Sequence, residues 1–139
     1  MKRVPRLAAA ALALTGLAIL SGCASIPPAQ RFGAVIGLKP EKLAYYRQLH
    51  ANPWEGVLRA LRKAHVRNYS IYLGRIEGKE YLFGYFEYTG KDFAGDMKKV
   101  AVDETVIRWW KETDPCQVPI AGRKEGDWWL GMEEVFHMD

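Results

Sequence analysis

Residues 68–88 read NYSIYLGRIEGKEYLFGYFEY, and this stretch decides the fold. Tyr69, Ile71 and Leu73 occupy alternate positions, so residues 68–74 are predicted to form a strand with two distinct faces. Glu77-Gly78 predicts a tight turn into a second strand over residues 80–88, where Tyr81, Phe83 and Tyr85 share one face. The centre of the chain is therefore expected to be an antiparallel hairpin.

Segments with regular apolar spacing flank this hairpin. Before it, residues 31–38 alternate as a strand, and two helices are predicted, one beginning at Pro40 and one over residues 55–65, separated by Asn52-Pro53. After it, Thr89 and Asp92 have capping-box spacing and open a helix that continues to about residue 100. A short helix over 103–111 and a last strand over 132–137 follow. With each helical pair counted as one crossover, the order is β-α-β-β-α-β, an α+β fold with the ferredoxin-like split arrangement.

The second face of such a sheet needs a cover, because both helical layers pack on the first face. The predicted strands offer that second face Tyr and Phe rather than the Lys and Glu of a solvated surface. We therefore expect either a homodimer in which two sheets meet, as in the dimeric α/β-barrel type, or a ligand pocket enclosed by each sheet.

The first thirty residues differ in composition from the rest of the 139-residue chain. Lys2, Arg3 and Arg6 precede an apolar stretch over residues 7–20, which has the proportions of a secretory signal. Leu20-Ser21-Gly22-Cys23 then resembles the lipobox of bacterial lipoproteins. The sequence predicts a signal peptide over 1–22, lipidation at Cys23, a tether over 23–30 and a domain over 31–139. An ordinary cleaved signal is the alternative.

This division changes the meaning of the net charge of +4. All 16 acidic residues lie at or beyond Glu41, so removing the three leader cations leaves 17 basic and 16 acidic residues and a charge of +1. A nearly neutral domain gives no reason to expect a nucleic-acid partner. We expect an exported protein, held in the bacterial cell envelope or periplasm only by its lipid anchor.

Several constellations that carry chemistry are absent from the sequence. It has no Gly-rich phosphate loop, no Gly-x-Ser-x-Gly and no pair of His at i, i+4 with a carboxylate between them, so no metal site is predicted. Glu133 and Glu134 on one strand would point to opposite faces, which is unsuited to joint action on a glycosidic bond. If Cys23 is acylated, Cys116 has no disulfide partner, and we expect it to be a small semi-buried hydrophobic residue.

The most specific cluster lies around His50. Tyr46 and His50 are i, i+4 on one helical face, and Trp54 follows the Asn52-Pro53 break, so a phenol, an imidazole and an indole can line one cavity. Imidazole both gives and takes protons near neutral pH, whereas Tyr mostly donates a hydrogen bond. A surface or helix-capping role for His50 is the alternative.

These residues carry a resemblance to a known family. Tyr46-x-x-x-His50 with Trp54, then residues 68–72, then Arg108-Trp109-Trp110, and finally Glu134-Val135-Phe136 are together similar to the L-rhamnose mutarotases over residues 31–138. The resemblance implies a dimeric ferredoxin-like isomerase without a cofactor that interconverts the α and β anomers of L-rhamnose. It also implies that His50 is the proton donor and that Tyr46, Tyr69, Trp109 and Trp110 contact the sugar, with Trp54 beside them. Because adjacent helical residues diverge by about 100°, at most one of the two Trp is expected to face the sugar squarely.

Two features depart from the family pattern. Glu55-Gly56 follows Trp54 where many relatives have Pro, and the loop over residues 111–131 is longer than in compact members. This loop is expected to cover the pocket, to extend a dimer contact or to alter which sugar fits. Two other functions stay open at this point: a non-catalytic, envelope-anchored carbohydrate-binding module, and a monooxygenase-like protein of the dimeric α/β-barrel type.

Overall fold

A computed structural model describes residues 28–138 of the chain. The predicted signal peptide over 1–22, the lipidation site Cys23 and most of the tether lie outside the described residues. No helix in the described part is long and apolar enough to cross a membrane. In chain order the elements are β1 (Gln30–Leu38), a 3-10 turn (Pro40–Lys42), α1 (Leu43–Ala51), α2 (Glu55–Lys63), β2 (Val66–Ile76), β3 (Lys79–Tyr88), α3 (Phe93–Ala101), α4 (Glu104–Thr113), a second 3-10 turn (Asp114–Cys116), β4 (Gln117–Val118) and β5 (Leu130–Met132).

The strands form one antiparallel sheet in the order β2-β3-β1-β4, and β5 also pairs with β1. β1 therefore lies inside the sheet, between β3 on one side and the two short strands on the other. This is the strand order of the ferredoxin-like fold, which confirms the α+β arrangement expected from the sequence.

The turn and the irregularity of the hairpin both follow from the sequence. Glu77 and Gly78 have φ of 49° and 77°, the positive values that a tight two-residue hairpin turn requires. Near its start, β2 carries a bulge in which Asn68 and Tyr69 together oppose Phe86, and Asn68 has a φ of 48°. The extra residue changes the alternation, so both Val66 and Tyr69 point towards the helices. β2 begins at Val66 and not at the predicted residue 68, because Val66 and Arg67 already pair with Tyr88 and Glu87 before the bulge.

The last strand differs from the prediction. Pairing places Gln117 opposite Leu38 and Val118 opposite Gly37, and it resumes with Leu130 opposite Val35. A continuous strand would have put Ile120 opposite Val35, so ten residues are inserted into this edge strand. The strand predicted over 132–137 was wrong, because backbone pairing ends at Met132. Beyond Met132, Glu134 lies opposite Arg31 without backbone pairing. Their side chains form a bidentate ion pair, with distances of 2.6 and 2.8 Å.

Aspartates begin both helices of the second crossover. The Asp92 carboxylate accepts a hydrogen bond from the Gly95 N–H (2.9 Å), and Asp103 accepts from Thr105 and Val106 (2.9 and 3.1 Å). The capping box predicted at Thr89 was wrong. Thr89 instead bonds to the His65 carbonyl, through both its backbone N–H and its hydroxyl.

Gly56 explains one of the departures noted in the sequence. A Cβ at this position would lie 2.7 Å from Cγ2 of Thr105, so its absence lets α2 and α4 approach closely. The approach of these helices closes one side of a buried cluster formed by Ala64, Val100 and Val106.

We predict that Gly56→Ala destabilises the domain in the native background and is close to neutral in a Thr105→Ala background. The added methyl overpacks the helix contact, which costs about 1–3 kcal/mol of stability. The higher helix propensity of Ala offsets only about 1 kcal/mol of that cost. Urea unfolding of the four variants in this double-mutant cycle measures the coupling. An equal cost of Gly56→Ala in both backgrounds would show that Thr105 does not limit this contact.

Candidate functional site

A cavity of about 510 Å³ lies between α1, α2 and the face of the sheet that the helices cover. Its floor is apolar, formed by Leu38, Ile71, Leu73 and Leu82. Tyr46, Arg47 and His50 of α1 stand above the floor, and Trp109 of α4 closes one side. Among the described residues that line the cavity, Arg47 alone carries a fixed charge. A small, uncharged ligand with an apolar side suits this lining.

His50 occupies the last turn of α1 and is half-buried. Its Nδ1 lies 3.0 Å from the Tyr46 carbonyl oxygen, which can only accept, so Nδ1 carries the hydrogen. Nε2 is therefore the ring nitrogen that exchanges a proton. Burial lowers the pKa of His50 below its usual range, more than the bond to the carbonyl raises it. At neutral pH the imidazole is thus uncharged, and Nε2 has a free lone pair.

Two phenols accompany this imidazole. The Tyr46 ring stacks on the His50 ring, with centroids 4.1 Å apart, and only 5% of the Tyr46 surface is exposed. Burial raises the pKa of Tyr46, so its hydroxyl keeps its proton. Tyr69 exposes 47% of its surface, but it lines the cavity, and burial there raises its pKa as well. Both phenols are therefore hydrogen-bond donors at any ordinary pH.

The tryptophans predicted to contact a sugar occupy three different places. Trp109 lines the cavity and meets the His50 ring edge-on, at 5.2 Å. Trp54 packs behind Trp109, with ring centroids 5.3 Å apart, and is not among the lining residues. Trp110 points away from the cavity into a separate groove, where it is 39% exposed and lies near Trp128. As the helical geometry predicts, only one of the adjacent pair faces the cavity.

The structure thus brings together Tyr46, His50, Tyr69 and Trp109 from the predicted set, and it adds a residue that the sequence analysis missed. Gln117, 6% exposed, places its side-chain N–H 3.5 Å from the Tyr46 hydroxyl. No sequence signal marked it, since a polar residue in a two-residue strand has no periodicity. Nearby Cys116 is 1% exposed and burial raises its thiol pKa, so it is buried more deeply than the semi-buried position expected from the sequence.

Residues 28–138 contain no group of three or more His, Cys, Asp or Glu side chains placed to hold a metal ion. The groups available for chemistry in the cavity are therefore the imidazole and the phenols, with one guanidinium at the edge. Such groups suit proton transfer to and from oxygen atoms.

A ferredoxin-like scaffold with one imidazole in an aromatic-walled, largely uncharged cavity defines a class: small α+β proteins equipped for acid/base chemistry on a compact neutral ligand. Comparison with known proteins narrows the class. The model of the L-rhamnose mutarotase family matches residues 31–138. The chain belongs to this family, as the sequence resemblance indicated.

Individual relatives agree with this family. The chain is 28% identical over 110 residues to an L-rhamnose mutarotase of Oceanobacillus iheyensis, covering 79% of this chain and 99% of the relative. It is 27% identical over 116 residues to that of Bacillus subtilis, with the same coverage. A solved L-rhamnose mutarotase from Formosa agariphila superposes with a TM-score of 0.59 at 21% identity, over 79% of this chain and 99% of that one. This last likeness concerns the fold alone.

Proposed function

We propose that this protein interconverts the α and β anomers of L-rhamnose in the cavity between α1, α2 and the sheet, with His50 as the group that carries the proton. The observation that supports this most directly is the geometry of His50. Its Nδ1 is held by the Tyr46 carbonyl at 3.0 Å, which leaves Nε2 available in a cavity that two protonated phenols and the Trp109 indole also line.

Anomer exchange needs only proton movements at two oxygen atoms of one carbon. Neutral His50 takes the proton of the anomeric hydroxyl through Nε2, the bond between C1 and the ring oxygen breaks, and C1 becomes an aldehyde carbon. The imidazolium then gives the proton to the former ring oxygen, so atoms and charge balance. After rotation about the C1–C2 bond, the same steps in reverse close the ring on the other face. His50 is the proton donor in the second half of each opening.

The rest of the cavity suits this sugar. Rhamnose carries a C6 methyl and several C–H groups, which pack favourably on an indole and on the apolar floor. Tyr46 and Tyr69 supply hydroxyl donors for the sugar oxygens, and their raised pKa values keep those donors protonated. Trp110 and Trp54 lie outside the cavity lining, and Trp54 supports the cavity through its contact with Trp109.

His50→Asn is expected to lower the enzymatic rate of anomeric exchange by about 10²–10⁴-fold, since general acid/base catalysis typically contributes that much. Saturation-transfer NMR on L-rhamnose measures the exchange directly. His65→Asn is the matched control: His65 lies outside the cavity and has a φ of 60°, which Asn tolerates, so its rate should be unchanged. Full activity in His50→Asn would refute the assignment. Sugar binding without any gain in exchange by the native protein would indicate a binding module instead.

The pH dependence of the same rate tests the starting state of His50. Burial lowers the pKa of its imidazole, so kcat/KM should fall as the pH drops through a value below 6.5 and stay level from there to neutrality. A rate that instead falls as the pH rises through that value would mean that catalysis starts from the imidazolium.

A second copy of this chain is the partner we propose for the open face of the sheet. Tyr72, Val118 and Met132 lie on this face and expose 65%, 46% and 44% of their surfaces. Beyond β5, Val135 and Phe136 are 92% and 81% exposed in a segment without regular structure. Tyr72, Val118 and Met132 therefore lie on the side of the sheet opposite the helices, which is the side that two facing sheets bury in the dimeric form of this fold.

The soluble domain should sediment as a dimer at micromolar concentration, and Met132→Glu should shift it towards monomer by placing a charge in the buried contact. Val102→Glu is the control, because Val102 is 73% exposed in the helical layer, away from this face. A native domain that sediments as a monomer would contradict the proposal, as would equal effects of the two substitutions.

We also propose that the protein is exported and lipid-anchored through Cys23, on the grounds of the basic start, the apolar stretch and Leu20-Ser21-Gly22-Cys23. Expression of the full chain in bacteria with labelled palmitate should yield a labelled protein in the membrane fraction. Cys23→Ala should abolish the label, and Cys116→Ser should retain it. An unlabelled native protein would leave the ordinary cleaved signal as the explanation.

A further inference from the structure

The ten residues inserted into the edge strand end in Trp128-Trp129, and both side chains turn back onto the domain. The Trp128 indole N–H donates a 2.7 Å hydrogen bond to Oε1 of Gln117, at the other end of the insertion. Trp129 packs on the helix-covered side of the sheet, above Gly84, where a Cβ would lie 3.3 Å from its ring. The insertion is thus attached beside the cavity.

The bond from Trp128 fixes the orientation of the Gln117 amide. An indole N–H can only donate, so the amide oxygen must face Trp128. The amide nitrogen then faces the Tyr46 hydroxyl, at 3.5 Å, a long contact of the kind that tightens when a substrate is bound. With only 6% of Gln117 exposed, water does not compete effectively for these groups.

This orientation determines what the Tyr46 hydroxyl can do. Its oxygen receives the Gln117 N–H, and no hydrogen bond among residues 28–138 uses Tyr46 as a hydroxyl donor. The phenol keeps its proton because burial raises its pKa. Its O–H is therefore directed to whatever occupies the cavity.

We infer that Gln117 and Trp128 are positioning residues, which hold Tyr46 as a hydrogen-bond donor to an oxygen of the bound sugar, and that the insertion supplies this control. The inference rests on the proposed function. It gives the longer loop a role in the sugar site and extends that site to two residues outside the cavity wall, Gln117 and Trp128.

Gln117→Glu is the sharpest test, since it keeps the shape of the side chain and replaces the N–H donor with an acceptor. The Tyr46 proton should then turn towards the introduced carboxylate and away from the sugar, lowering kcat/KM for anomeric exchange by about tenfold. In a Tyr46→Phe background there is no such proton, so the added effect of Gln117→Glu should vanish. Gln48→Glu, the same change at an exposed position of α1, should leave the rate unchanged.

Trp128→Phe keeps the domain free of a new charge and guards against misfolding of Gln117→Glu. This substitution removes the hydrogen bond that orients the Gln117 amide. We expect kcat/KM to fall several-fold in the native background and to be unaffected in the Tyr46→Phe background. Equal losses with and without Tyr46, for either variant, would overturn the inference and show a merely structural role. So would full activity of both variants.

A readout independent of catalysis separates this inference from the proposed function. The side-chain amide resonances of Gln117 should shift in Trp128→Phe and in Tyr46→Phe. They should not shift in Tyr45→Phe, because the Tyr45 hydroxyl bonds instead to Glu112. If the native protein does not speed anomeric exchange, the proposed function fails. The shifts still test whether Trp128 and Tyr46 both bond to the Gln117 amide. Unshifted amide resonances would overturn the positioning role of Gln117 and Trp128 even in an active enzyme.

Discussion

The antiparallel pairing of β1 with β3 is the constraint on which the rest of the structure depends. Nine residue pairs join the two strands, from Gln30 opposite Tyr88 to Leu38 opposite Glu80. This register places Ile36 beside Leu82 in the core, at 0% and 2% exposure, and so provides the apolar floor on which Tyr46 packs. A slip of β1 by one residue against β3 would turn the side chains of β1 to the other face and put Val35 in place of Ile36 beneath the helices. The floor of the cavity and the edge that receives β4 and β5 both require this one register.

On this floor, burial acts in opposite directions on the two titratable side chains that stack together. It lowers the pKa of His50, a base, and raises that of Tyr46, an acid, because in each case the charged form is the one disfavoured away from water. Both rings are therefore neutral near pH 7, one with a free lone pair and the other with a proton to donate. A neutral acceptor and a neutral donor match a substrate that carries no charge and exchanges only protons. The same burial that stabilises the helix against the sheet thus sets the protonation states that the proposed reaction requires.

The elements that the sequence predicted are those in which apolar residues recur at the regular spacing of a strand or a helix. The hairpin, β1, the helices and the joint presence of Tyr46, His50, Tyr69 and Trp109 follow from apolar spacing and from motifs with a family resemblance. The parts that it did not predict depend on single contacts. Asp92 replaces Thr89 as a helix cap because its carboxylate reaches the Gly95 N–H. β4 has two residues, too few for any alternation, so the sequence predicts a loop at Gln117 and does not indicate its contact with Tyr46.

An interrupted edge strand costs little here, because each half retains its own support. β4 is held by two pairs with β1 next to the buried end of α4, and β5 resumes the pairing on the far side of Ile36. The ion pair between Arg31 and Glu134 extends the line of β5 after its backbone pairing has ended. Loop closure grows only slowly in cost with length, so ten more residues add less than about 2 kcal/mol of entropy. Two indoles packed on the domain offset that cost, and one of them reaches Gln117. The interruption of the edge strand is therefore also the place from which Trp128 reaches Gln117, the residue that contacts the Tyr46 hydroxyl.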